Sequence, residues 1–192
     1  MYSLILDSAT KTLYVCLLKD NEVLSEIYLE GRNDHAKNIV LKVEEALKDN
    51  NLTTNDLDDI IVGIGPGSYT GVRMAVTVCK MLSVFGNKNL YTISTLKLMA
   101  SGYKGNVLVK IDARRGNSFG ALIDINNDKY LVDEAMYDNN ELMNNNYDYL
   151  VSEDNMKVDP IFVLKTKELV KEPHLLVPNY LRETEAERNL ND

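Results

Sequence analysis

Residues 2–30 read YSLILDSATKTLYVCLLKDNEVLSEIYLE, and this stretch decides the fold class. It contains three runs rich in the branched and aromatic residues that favour strands. Asp7-Ser8-Ala9-Thr10 forms the connection between the first two runs, and Asp20-Asn21 is a short turn between the second and third. Because both connections are short, the sequence predicts that the chain begins with an antiparallel meander of three strands.

Helices and strands alternate after this meander. The apolar spacing and the turn residues predict two long helices, two strands and a short helix, at 34–50, 60–64, 69–85, 90–93 and 95–101. Asp34 is the predicted N-cap of the first helix, and Gly86 ends the second. The order βββαβαβα is the topology of the ribonuclease-H-like fold, which actin-like ATPases and sugar kinases share.

The second half of the chain opens in the same way as the first. Three further β-rich runs, at 106–112, 117–125 and 129–136, predict another meander, followed by an Asn-rich acidic stretch and one short helix at 164–171. We therefore expect an α/β protein with two ribonuclease-H-like, actin-like lobes, the second of them reduced. The predicted lobes are residues 1–103 and 104–192, with the C-terminal segment returning to the core.

Composition excludes several classes of protein. The chain has 192 residues, 45% of them hydrophobic, and a net charge of −8, which argues against autonomous nucleic-acid binding. No apolar run approaches the roughly 20 residues of a membrane helix. Cys16 and Cys79 lie in apolar segments without metal-ligand spacing, as expected for reduced core thiols of a cytoplasmic protein.

Two loops of the first half are candidate anion sites. The turn at 7–10 stands where actin-like ATPases have a phosphate loop, but Ala9 occupies a position where those loops need glycine. The segment GPGSYTGVR, residues 65–73, joins a buried strand to a helix. Its turn residues could hold an anion at the helix N-terminus or form a tight structural turn. The residues concerned are Gly65, Pro66, Gly67, Ser68, Tyr69, Thr70, Gly71 and Arg73.

A third candidate is the turn Asp112-Ala113-Arg114-Arg115-Gly116. Its two arginines could pair with an acidic partner or a phosphate, or simply be solvated. No Ser/His/Asp or Cys/His set suggests a nucleophile and its base, and His35 and His174 lie far apart. We therefore predict no catalytic residue and no metal ligand, and expect purified protein to contain neither zinc nor iron in stoichiometric amounts.

The helix at 69–85 has more apolar surface than one sheet face can cover. Its polar stripe is limited to Thr70, Arg73, Thr77 and Lys80. Either a second layer of the same chain or a partner protein covers the excess. For the partner interpretation, this helix and the one at 34–50 supply the predicted contact residues Ile39, Val43, Val72, Val76, Cys79 and Leu82.

Three separate motifs resemble one known family. GPGSYTGVR (65–73), IDARRGNSF (111–119) and PNYLR (178–182) resemble the signatures of the TsaB (YeaZ) family, in the same order. The opening Asp-Ser-Ala-Thr turn and His35 fit the family as well. This family is similar to the catalytic subunit TsaD, and both resemble the glycoprotease-like branch of the actin-like ATPase superfamily.

The resemblance implies a non-catalytic subunit of the complex that makes threonylcarbamoyladenosine in tRNA, next to the anticodon. Such a subunit pairs with a TsaD-like catalytic paralogue through its first-half helices, and a TsaE-like ATPase docks on the dimer. The resemblance implies that it contacts tRNA only as part of the complex. It also implies no cofactor on this chain, because nucleotide and metal are expected on the catalytic partner or at the interface between the two subunits, here called the seam. Thr95 and Met99 stand where the catalytic relative has its H-x-x-x-H metal ligands.

The chain departs from the family pattern in one respect, and two alternative functions remain open. Typical family members are longer, and residues 136–178 of this chain show little helical pattern. An actin-like enzyme acting alone, either a kinase or a glycoprotease-like peptidase, is the first alternative. A homodimer formed through the same apolar helices is the second.

Overall fold

The computed structural model of the protein describes residues 1–31 and 35–181, with the backbone alone for 35–37. The predicted N-cap Asp34, the side chain of His35 and the last residue of the 178–182 motif, Arg182, therefore lie outside the described residues.

The first half forms the meander and the alternating elements that the sequence predicts. Its elements are β1 (Tyr2–Asp7), β2 (Thr12–Lys19), β3 (Glu22–Glu30), α1 (His35–Lys48), β4 (Asp59–Gly63), α2 (Tyr69–Gly86), β5 (Asn89–Ile93) and α3 (Thr95–Ala100). Ser68 caps α2 by accepting a hydrogen bond from the Gly71 N–H, and Asn87 ends the helix in the left-handed conformation.

The second half contains a shorter set of elements. These are β6 (Asn106–Arg114), β7 (Asn117–Asp124), β8 (Lys129–Asp138), α4 (Asn139–Met143), β9 (Tyr149–Val151), α5 (Pro160–Thr166) and β10 (Glu168–Leu169). Single 3-10 turns lie at Thr54–Asp56 and Pro173–Leu175.

Two sheets organise these elements. The larger has the order β10-β5-β4-β1-β2-β3, in which β1 is antiparallel to β2 and parallel to β4, and β4 is parallel to β5. The smaller has the order β8-β7-β6-β9 and repeats the pattern of a meander joined to a parallel strand. This confirms the predicted fold class, with two ribonuclease-H-like sheets of which the second is reduced.

The alternation of side chains along β1 divides the core around the larger sheet. Leu4 and Leu6 pack against α1 and α2 on one face, whereas Ile5 packs against residues of α3 and α5 on the other. The chain does not change sheets at a single point, because α3 packs on the smaller sheet and β10 joins the edge of the larger one. The division at residue 103 stays a prediction.

The helices of the second half differ from the sequence prediction. The helix predicted at 164–171 is wrong in its limits: α5 begins at Pro160, where the Asp159 side chain caps two backbone N–H groups, and β10 follows it. The stretch after residue 136 also contains α4, which Asp138 caps. Both helices have fewer than eight residues, so their apolar periodicity is too short to recognise in sequence.

The lengths and hydropathies of the helices bear on membrane insertion. Among the residues that the structure describes, no helix combines the length and the apolar character needed to cross a bilayer.

Candidate functional site

A buried hydrogen-bond chain connects three segments at the carboxyl ends of β1 and β4. Asp7 is the last residue of β1, and its carboxylate accepts hydrogen bonds from the Thr95 hydroxyl (2.6 Å) and the Ala9 N–H (2.7 Å). The Thr95 oxygen in turn accepts the N–H of Gly65 (3.0 Å). The side chains of Asp7 and Thr95 therefore connect the turn after β1, the loop after β4 and the start of α3.

The two candidate anion loops lie directly against each other. The Ser68 N–H donates to the Ala9 carbonyl (2.6 Å), and the Ser8 hydroxyl donates to the Gly71 carbonyl (2.8 Å). A Cβ placed on Gly67 would lie 2.3 Å from the Ala9 oxygen, and one on Gly71 would lie 2.0 Å from the Ser8 oxygen. The glycines thus allow two backbones to touch, which favours the structural interpretation of both turns over an anion site.

Burial changes the acid–base behaviour of Asp7. Removal from water raises the pKa of its carboxyl to about 6, although the hydrogen bonds from Thr95 and Ala9 act in the opposite direction. The folded state therefore binds this proton more tightly than the unfolded state does. Its contribution to stability is greatest below about pH 4, the usual range for an aspartate, and is lost as the pH rises through about 6.

We expect Asp7→Asn to remove this pH dependence, because an amide does not titrate. From pH 4 to pH 7 the free energy of unfolding of the wild type should fall relative to that of the variant, by about 2–3 kcal/mol. Urea unfolding across this pH range measures the difference. Asp49→Asn, at an exposed carboxylate just after α1, controls for the loss of one acidic group. Parallel pH profiles for the wild type and Asp7→Asn would contradict the prediction.

The structure gives structural roles to Thr95 and Met99, the two residues that the family resemblance predicts at metal-ligand positions. Thr95 belongs to the hydrogen-bond chain, and Met99 is fully buried in the apolar core against the smaller sheet. Within residues 1–31 and 35–181, no three His, Cys, Asp or Glu side chains are grouped so as to hold a metal ion.

Most of the predicted contact residues on the two long helices are core residues. Five of the six, namely Ile39, Val43, Val72, Val76 and Cys79, are buried in the chain's own core against the larger sheet and offer little open surface in the free chain. Their role as partner contacts stays a prediction. The outward and inward apolar positions of α2 look alike in sequence, and only the packing on the sheet distinguishes them.

An open apolar groove lies between α1 and α2. It has a volume of about 570 Å³, and Val43 and Leu82, two of the predicted contact residues, line it. The other apolar lining residues are Val40, Leu47, Leu52, Val78 and Met81, and polar residues of α1 and the following loop complete it. Met81 in this lining is 54% exposed, and Phe85, four residues further along α2 and so on the same face of the helix, is 84% exposed. We call the lining residues together with Phe85 the helix groove.

The C-terminal segment covers another part of α2. The Lys80 ammonium donates to the His174 and Leu176 carbonyls (2.9 and 3.0 Å), and Leu176 packs into the core. The Asn179 N–H donates to the Ile64 carbonyl (2.8 Å) next to the glycine loop. A layer of the same chain therefore covers one flank of α2, and the described residues leave the helix groove open. For this segment the sequence predicts a return to the core and shows the PNYLR motif.

The arginine turn is the tip of the β6–β7 hairpin. Arg114, Arg115 and Gly116 all have positive φ, at 66°, 55° and 79°. The Asp112 carboxylate accepts the Arg114 N–H (2.9 Å), and the Asn139 N–H donates to the Gly116 carbonyl (3.0 Å), so the backbone of the tip is held on both sides. Both arginines are exposed.

The topology and the packed loops define the class. The chain has the actin-like, ribonuclease-H-like fold, and its own glycine loop lies against the turn where ATPases of this class have a phosphate loop. A family model described as TsaD, tRNA N6-adenosine threonylcarbamoyltransferase, matches residues 22–171. The chain therefore belongs to the TsaB (YeaZ) family of TsaD-related proteins.

Individual relatives agree with this assignment. The chain is 30% identical over 146 residues to the tRNA threonylcarbamoyladenosine biosynthesis protein TsaB of Bacillus subtilis, covering 74% of this chain and 63% of that protein. It is 32% identical over 126 residues to TsaB of Escherichia coli, covering 63% and 54% respectively. The chain thus spans between about half and two thirds of the length of these relatives.

A solved structure has the same fold. YeaZ from Pseudomonas aeruginosa superimposes with a TM-score of 0.80 at 22% identity, covering 94% of this chain and 99% of that one. The shared fold therefore includes the reduced second half.

Proposed function

We propose that this protein is a non-catalytic subunit for threonylcarbamoyladenosine biosynthesis in tRNA, which binds and activates a TsaD-like catalytic paralogue in the cytoplasm. The names of the relatives supply the pathway. The proposed role as a subunit rests mainly on the helix groove, an apolar surface that the described residues leave open.

The groove has the form of a protein-binding surface. Val43, Leu82 and their apolar neighbours line it, and the ion pair between Glu44 and Lys48 (2.6 Å) lies at its edge. An apolar centre with charged residues around it is the usual arrangement of a protein interface. The paralogue has a related fold, so its equivalent helices can meet this surface in a pseudo-twofold arrangement.

The packed loops support the non-catalytic part of the proposal. The Ala9 N–H, which a phosphate loop would offer to its ligand, donates instead to the chain's own Asp7, and the Ala9 carbonyl accepts the Ser68 N–H. Thr95 replaces the imidazole that would bind a metal and is used in the same hydrogen-bond chain. We place the nucleotide, the metal and the threonylcarbamoyl transfer on the catalytic partner or at the seam between the subunits.

The remaining partners follow from this assignment. A TsaE-like ATPase docks on the dimer. The chain contacts tRNA only as part of the complex, because its net charge of −8 opposes nucleic-acid binding by the chain alone. A second copy of the chain is the competing occupant of the helix groove when the paralogue is absent.

Reconstitution tests the proposal. The chain is co-expressed with the TsaD-like paralogue of its own organism, and tRNA modification is measured with the purified paralogue, with the TsaE-like ATPase and the threonylcarbamoyl donor, in the presence and absence of the chain. We expect a stable complex, and modification that depends on adding the chain. Activity of the paralogue at the same rate without it, or ATP or peptide hydrolysis by the chain alone, would contradict the proposal.

A further inference from the structure

We propose that the Arg114–Arg115 hairpin is a contact point for the phosphate backbone of the RNA that the complex modifies, an inference that rests on the proposed function. The arginine hairpin here means Asp112 to Asn117. No other role described above uses these two side chains.

The backbone of the arginine hairpin favours residues other than arginine. Arg115 and Gly116 form a two-residue connection with positive φ at both positions, as in a type I′ turn. Asn, Asp and Gly suit such positions, whereas long side chains are strained there. Arg114 also has positive φ, next to a register shift between β6 and β7. Two adjacent arginines in this conformation are thus poorly explained by the requirements of the turn.

The two guanidinium groups are available for a ligand. Both side chains are exposed, and neither forms a hydrogen bond, an ion pair or a ring contact with the described residues. By contrast Arg73 lies over the ring of Tyr69, 5.1 Å from its centroid. Asp112 and Asp138, which lie near the tip in the strand register, each accept a backbone N–H, and within the described residues neither forms an ion pair with Arg114 or Arg115.

Shape and charge favour RNA over a protein surface. A Cβ added at Gly116 would meet no described atom within 4 Å, so this side of the tip is open to solvent. A two-residue hairpin tip is too small to supply by itself the roughly 800 Å² per partner of a stable protein interface, but it can contact a nucleic-acid backbone. Since the chain is acidic overall, any favourable RNA contact must come from a local concentration of positive charge. Arginine, with its planar fork of donors, is the side chain best suited to a phosphate.

The test uses the complex of this chain with its TsaD-like paralogue, and the double variant Arg114→Asn, Arg115→Asn. Asparagine suits positive φ, so the variant should fold at least as stably as the wild type. Binding of fluorescently labelled, unmodified tRNA is followed by anisotropy at several salt concentrations. At about 100 mM salt we expect affinity to fall by at least about tenfold, and the slope of log affinity against log salt to decrease by about two.

Lys104→Asn with Lys129→Asn is the matched control. It also removes two exposed positive charges, from the opposite end of the same sheet, and should leave tRNA affinity and its salt slope unchanged. If the complex forms but the arginine double variant binds tRNA like the wild type, this inference is wrong and the proposed function stands. Loss of the paralogue or of the ATPase, rather than of tRNA, would identify an acidic protein partner and also overturn it. If the wild type forms no complex, the proposed function itself fails.

Discussion

Gly71→Val should leave little folded protein. A Cβ at this position would lie 2.0 Å from the Ser8 carbonyl oxygen. This oxygen belongs to the backbone, and the hydrogen bond from the Ser8 hydroxyl to the Gly71 carbonyl holds the two loops together at this point. Neither the turn after β1 nor the loop before α2 can move without separating β1 from the start of α2. We expect destabilisation above about 4 kcal/mol, which is a large part of the 5–15 kcal/mol that holds a typical domain together. Gly67→Val, which would meet the Ala9 oxygen at 2.3 Å, should behave in the same way.

Circular dichroism and thermal melting measure this effect. Gly31→Val is the matched control, because a Cβ at Gly31 meets no described atom within 4 Å and the variant should melt close to the wild type. A Gly71→Val protein with a wild-type melting temperature that failed to support tRNA modification would show instead that the loop is a functional site, as the anion-site alternative for residues 65–73 requires.

Met81→Asp should abolish binding of the catalytic paralogue while the chain stays folded. Met81 is more than half exposed in the free chain, so an aspartate there is solvated and should affect stability little. In the complex the same carboxylate would be enclosed in an apolar surface without a partner, which is strongly unfavourable. Substitution of a central interface residue of this kind lowers the affinity for the partner by a factor of about 100 or more. Phe85→Asp, at the end of the helix groove, should act in the same direction.

Two comparisons make this result interpretable. Leu131→Asp, at an exposed position of β8 on the smaller sheet, should leave paralogue binding unchanged. Val76→Asp should unfold the chain, because Val76 is buried against the larger sheet. Affinity is measured by titration calorimetry, and the oligomeric state of each variant by gel filtration. If Met81→Asp and Phe85→Asp both bind the paralogue with wild-type affinity, the helix groove is not the docking surface.

Much of the architecture is visible in local sequence patterns. The three runs in residues 2–30 show strand composition with short connections, and the two long helices show a sustained apolar period. Such patterns reflect interactions between near neighbours along the chain, which is why β1–β3, α1 and α2 could be recognised. The helices α4 and α5 lack this signal, because their side-chain caps at Asp138 and Asp159 define them more than any period does.

Some features of the candidate sites are likewise visible in the sequence, and others depend on the tertiary structure. The sequence by itself determined the family, through three motifs in order, and the absence of the H-x-x-x-H pattern at Thr95 and Met99. Only the tertiary structure decided which apolar residues of α2 face inward and which line the groove, since Val76 and Met81 have the same character in sequence. It also decided that the two candidate anion loops, at 7–10 and 65–73, pack against each other through hydrogen bonds of Ser68 with Ala9 and of Ser8 with Gly71. Burial and contact between residues distant in the chain are properties of the whole fold, and no short window of sequence contains them.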